Sequence, residues 1–142
     1  MAYATIEQLV DRYGERLLLQ VTDRSTPPAG VIDTAVVDRA LANTDATIDS
    51  YLAGRYALPL DEAPPLLTDL AQAITIYKLH PFAPDPKIEQ DYKDAVASLD
   101  RIAKGVMRLP IAGVEPVSSG AAGVEVIDRE RDMTPENLRG FI

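Results

Sequence analysis

The side chains best able to do chemistry in this chain are few and scattered, and their spacing argues against catalysis. There is one histidine, His80, immediately before Pro81, and there is no cysteine. Zinc sites are built from several His, Cys or carboxylate ligands, so His80 alone cannot seed the usual one, and a helix-capping or surface role is expected for it. Ser25, Ser50, Ser98, Ser118 and Ser119 lie in no Gly-x-Ser-x-Gly elbow and would share a single imidazole, which disfavours a hydrolase triad. Asp45 and Asp49 stand four apart on one predicted helix face, a spacing that could bind a cation or pair an acid with a base. No Glu-x-x-His accompanies them, so the di-metal bundle pattern is incomplete and a solvated face is the plainer expectation. Gly113, Gly120 and Gly123 precede no lysine and open no helix, so they form no phosphate loop. The sequence therefore reads as a non-enzymatic protein with no cofactor and no bound metal.

Composition excludes further classes. The chain has 142 residues, 46% of them hydrophobic and 25% charged, which fits one globular core and is too apolar for a wholly disordered chain. Its formal charge of −8 works against a surface that must neutralise many phosphates. The acidity is spread out: residues 1–110 carry 11 basic and 16 acidic side chains, and residues 111–142 carry 3 and 6. Short helices around Gly14 could be joined as a helix-turn-helix, but Glu15 to Asp23 offers only Arg16 before Arg24, so a DNA-binding regulator is the weaker alternative. Met1 to Thr5 has no basic region leading into an apolar stretch, and no segment approaches the length of a membrane span. A soluble, cytoplasmic protein that makes no membrane contact is expected.

The elements that would position these residues are helices. Thr5 and Gln8 form a capping box ahead of Ile6, Leu9, Val10 and Tyr13, and Gly14 can end that helix before a second short apolar stretch, Glu15 to Val21. Arg24 to Gly30 reads as a loop. From Asp33 to Leu52, Val36, Val37, Ala40, Leu41, Thr44, Ile48, Tyr51 and Leu52 make the strongest stripe at helical spacing. Pro65 suits the first position of a helix that continues through Leu70, Ile74 and Tyr77 and stops by Pro81. Asp85-Pro86 opens another, with Ile88, Tyr92, Ala95, Leu99 and Ile102 buried and Gly105 as terminator. The fold class is all-α: a small bundle of about four main helices over residues 1–110, followed by an extended arm over 111–142.

The arm begins where helical period is lost, in the Gly-, Ala-, Ser- and Val-rich stretch from Ile111 to Gly123. Val124-Glu-Val-Ile could pair as a short strand, and Leu138, Phe141 and Ile142 place apolar residues on an otherwise polar segment. Val124, Val126, Ile127, Leu138, Phe141 and Ile142 are thus the expected partner contacts. Between the second and third main helices, Tyr51-Leu-Ala-Gly-Arg-Tyr-Ala-Leu-Pro-Leu60 gathers aromatics, an arginine and a proline around a helix stop. Tyr56 and Leu58 are expected to fold back on the bundle, and Arg55 to cap helix-end carbonyls or pair with Asp49.

At this stretch the sequence resembles the small adaptor, or head-completion, proteins of the morphogenesis clusters of Mu-like phages and prophages. The resemblance runs from Tyr3-Ala-Thr-Ile-Glu-Gln-Leu9, through Ile48-Asp-Ser-Tyr-Leu-Ala-Gly-Arg-Tyr-Ala-Leu-Pro59, to Tyr92-Lys93, Ile102-Ala-Lys-Gly105 and Arg131 to Phe141. Its motifs are structural, with Asp49, Tyr51, Arg55, Tyr56 and Pro59 at their centre. It implies a helical subunit of a homo-oligomeric ring, twelvefold in the family, beneath the portal protein and above a downstream stopper or tail protein. DNA would pass through that ring without specific binding, and the protein would end in the virion at the capsid vertex. Asp38, Asp45, Asp91 and Asp94 are then the candidate channel-lining acids, because carboxylates on the wall repel phosphate and let DNA slide. A tail-completion or stopper protein of the same assembly is the nearest alternative.

Overall fold

A computed structural model describes residues 1–111. It contains five helices: α1 (Ile6–Tyr13), α2 (Glu15–Thr22), α3 (Thr34–Leu52), α4 (Pro65–Leu79) and α5 (Pro86–Ala103). The all-α reading holds, with α3, α4 and α5 forming the main bundle and the short pair α1 and α2 packed across α3 and α4.

Local chemistry sets each boundary. The Thr5 side chain accepts from Gln8 N while Gln8 Oε1 accepts from Thr5 N, completing the capping box of α1. Gly14, at φ +86°, ends α1 and begins α2, a backbone turn that a residue with a Cβ takes only under strain. Asp33 caps α3 by accepting from the N–H groups of Ala35 and Val36, and Asp85 caps α5 with Pro86 in its first turn. At the end of α5, Gly105 N donates to Ile102 O and Val106 N to Arg101 O, with Gly105 at φ +76°; this is the paired bonding of a Schellman stop.

Helix α4 is the centre of the core. Ala73, Ile74, Thr75 and Ile76 are buried in succession, so this helix is enclosed on every side where α3, α5 and the α1–α2 pair meet. Two apolar clusters share it. One gathers Tyr3, Ile48, Leu52, Tyr56, Leu67, Ile74, Leu99, Ile102 and Leu109; the other gathers Leu9, Leu18, Val21, Val37, Ile76, Leu79 and Ile88. The buried threonine hydroxyls are satisfied within this packing: Thr75 Oγ1 donates to Thr44 Oγ1 at 3.0 Å, and Thr22 Oγ1 donates to Leu18 O at 2.7 Å.

Candidate functional site

The stretch from Tyr51 to Pro59 forms an elbow that closes α3 and then grips the far end of the body. Ala53 N donates to Asp49 O, and the N–H groups of Arg55 and Tyr56 both donate to Leu52 O, so the chain tightens into a turn at the helix end. Tyr56 swings its ring into the core, where it is 4% exposed, and its hydroxyl accepts from Leu109 N at 3.2 Å. Leu58 also packs against that cluster, as expected, with half-buried Tyr51 beside it, and Pro59 is exposed. Tyr56 thereby fixes the backbone at Leu109, six residues after the end of α5.

Arg55 departs from its expected partners. Its guanidinium lies over Gly105, so closely that a Cβ built there would stand 2.4 Å from Cζ. No ion pair joins it to Asp49, whose Oδ1 accepts from the Tyr3 hydroxyl at 2.5 Å. The Nε of Arg55 is buried with no hydrogen-bond partner among the described residues. Gly105 therefore has two reasons to be glycine: its left-handed backbone and the cation against its face.

Tyr3 is the functional position that helical periodicity misses. It precedes the first helix, yet it is 2% exposed; its N–H donates to Asp45 Oδ1 at 3.1 Å and its hydroxyl to Asp49. Burial foremost, then the Asp49 hydrogen bond and the nearby carboxylates, raises the Tyr3 hydroxyl well above its ordinary pKa. Burial also raises the Asp45 carboxyl, with the Tyr3 N–H acting in the opposite direction. The pair expected on a solvated face is thus half-buried and occupied by the N-terminal segment. A signal existed in the sequence: an aromatic just ahead of a capping box is placed to pack back on the body.

The other acids are dispersed. Asp91 and Asp94 of α5 face Asp69 of α4 across a furrow that also holds Arg12. Asp69 pairs with Arg12 at 2.7 Å, Asp91 with Lys87 at 2.5 Å, and Asp94 accepts from Gln90 Nε2 at 2.8 Å. Asp38 is exposed on α3, away from that furrow. No group of three His, Cys, Asp or Glu among the described residues could hold a metal ion. His80 serves α4 itself: Nδ1 donates to Ile76 O at 2.7 Å, capping the helix end as expected of a lone histidine there. No helix among the described residues is long and apolar enough to cross a membrane. The expected arm contacts Val124, Val126, Ile127, Leu138, Phe141 and Ile142 lie outside the described residues.

Comparison with known proteins covers most of this architecture. The family described as Bacteriophage Mu, Gp36 matches residues 3–127, from the buried Tyr3 through the whole helical body. The Mu-like prophage FluMu protein gp36 of Haemophilus influenzae is 36% identical over 110 residues, which span 78% of this chain and 77% of the relative. Gene product J of Escherichia phage Mu is 36% identical over 105 residues, 74% of each chain. With a family match over nearly the full length and relatives of this identity and coverage, the chain belongs to the Bacteriophage Mu Gp36 family of Mu-like phages and prophages.

Proposed function

We propose that this protein is a structural part of the phage particle: a head-to-tail adaptor that assembles as a ring beneath the portal and extends the DNA channel. The observation that carries this reading is the latched exit of the chain. Tyr56 holds Leu109 with a buried aromatic, and the half-buried Arg55 lays its guanidinium on Gly105, so the backbone is fixed just ahead of residue 112. That is the layout of a rigid subunit that delivers a segment to a partner, and the specific role of adaptor comes from the resemblance to head-completion proteins. Residues 112–142 are the segment in question, with Val124, Val126, Ile127, Leu138, Phe141 and Ile142 as its contacts to the portal or a neighbouring subunit.

In this reading the surface acids keep DNA from adhering to the channel wall. Asp45 is the poorest liner of the four candidates, because it is half-buried and bonded to Tyr3. Asp91 is also half-buried and paired with Lys87, so Asp38 and Asp94, both exposed, are the better ones. The test is deletion of the gene from an inducible prophage, followed by electron microscopy of the lysate. An adaptor predicts heads and tails that accumulate unjoined; normal joined particles in the deletion strain would refute it.

A further inference from the structure

We infer that the groove between the α1–α2 corner and the start of α5 is the receptor for residues 138–142 of a second copy of this chain. The groove has a volume of about 580 Å³, and its floor is Tyr13, Leu17 and Ile88 with Phe82 on its wall. Phe82 is 49% exposed, supported only edge-on by His80 at 5.6 Å between ring centroids. The Tyr13 hydroxyl is buried and has no hydrogen-bond partner among the described residues, an expense that an incoming acceptor would remove. Apolar walls with one convergent unmet donor are the features of a binding groove.

The occupant is argued from the chain itself. Leu138, Phe141 and Ile142 are spaced i, i+3, i+4, a sequence pattern that would put three apolar side chains on one side of the segment if it docked as a helical turn, with Glu136 and Arg139 as its charged residues. The groove rim matches, with carboxylates at Asp85 and Asp91 and a cation at Lys87. A backbone carbonyl of the docked segment would accept from Tyr13 once a small shift of the ring on docking opens its buried hydroxyl. The groove and the chain exit lie at opposite ends of the body: Pro110 and Ile111 sit beside Pro64 and Pro65 at the start of α4, whereas His80 and Phe82 follow its end. The length of α4 alone separates them by about 22 Å. A ligand at one end and its receptor at the other make a heterologous contact, which repeats from copy to copy and can close into a ring. The 28 residues from Ile111 to Leu138 can span up to about 90 Å, ample for a neighbour. The choice of a second copy over the same chain rests on the ring reading above.

Two experiments on the full chain decide it. A fluorescein-labelled peptide of residues 133–142 is titrated into the Phe141→Asp protein, whose own segment is disabled, and followed by anisotropy. Saturable binding is expected, weakened tenfold or more when Phe82→Asp is added and a few-fold by Tyr13→Phe, with unchanged helical circular dichroism in each. Because the chain has no cysteine, Leu17→Cys and Phe141→Cys copies can then be mixed and mildly oxidised. A mixed disulfide in clear excess over the statistical half is expected. Absence of peptide binding, indifference to Phe82→Asp, a merely statistical disulfide yield, or a dilution-independent intramolecular disulfide in a copy carrying both cysteines would each overturn the inference. The adaptor reading fails separately, on joined particles in the deletion strain.

Discussion

The two ends of the helical body treat their polar and aromatic groups in opposite ways. At the elbow end, Tyr3 is bonded to Asp45 and Asp49 and Leu109 to Tyr56, and the Arg55 guanidinium is pressed on Gly105, its Nε being the one buried polar side-chain atom there without a partner among the described residues. At the groove end, the Tyr13 hydroxyl has no partner among the described residues, and Phe82 stands half in solvent. The first end invests its side chains in stability, and the second holds them in reserve. A protein that must be a firm block in an assembly and also accept a partner needs both kinds of surface, and this chain places them at opposite poles of α4.

The contrast is most sharply broken at Gly105. Gly105→Ala should cost about 3 kcal/mol in urea unfolding, from the left-handed backbone and from displacement of the guanidinium. Adding Arg55→Ala should recover the steric part of that loss, and a double-mutant cycle with no coupling would show that the two residues do not press on each other. Next in size is Tyr3→Phe. It removes the donor to a half-buried carboxylate and should cost about 1–2 kcal/mol, with no change in helical content.

Asp45 offers a smaller effect with a definite sign. Burial raises its carboxyl above the ordinary value of 3.8, so the folded chain holds this proton to higher pH than the unfolded chain does. Its contribution to stability is therefore complete at acid pH and falls as pH rises through the interval above that value. Asp45→Asn, whose amide oxygen can still accept from Tyr3 N, should flatten that decline in pH-dependent unfolding; an unchanged slope would remove Asp45 from the account. Smallest of all is Phe82→Ser, which should shift stability by no more than about 0.5 kcal/mol, since half of the ring is already in water. A loss of 2 kcal/mol there would make the groove wall part of the core and erase the distinction between the ends.

Much of the fold was legible because helix boundaries are local chemistry. Thr5 with Gln8, Asp33, Pro65, Asp85 with Pro86, and Gly105 each act within a few residues of the element they delimit, and all mark real boundaries. The partnerships of the elbow were less legible because they are long-range: Tyr3 to Asp49 spans 46 residues and Leu109 to Tyr56 spans 53. Tyr56 could be foreseen to fold back, since an aromatic after a helix stop has the core at hand. Arg55 could not be assigned, because its guanidinium settles on Gly105, a residue 50 positions away, rather than on an acid near it in sequence. The acids on the polar faces of the second and fourth main helices divide in the structure into Asp45 and Asp49, bound to Tyr3, Asp91 and Asp94 in the α4–α5 furrow, and Asp38 alone on α3. Spacing along one helix reveals a shared face, but not what another segment lays across it.

The most direct test of the adaptor assignment is a cryo-electron microscopy reconstruction of the neck of the intact particle. The account predicts a ring of five-helix bodies directly below the portal, with the residues after Ile111 running from the elbow end into a neighbouring chain. A neck with no density for this protein, or the protein found only elsewhere in the particle, would contradict it.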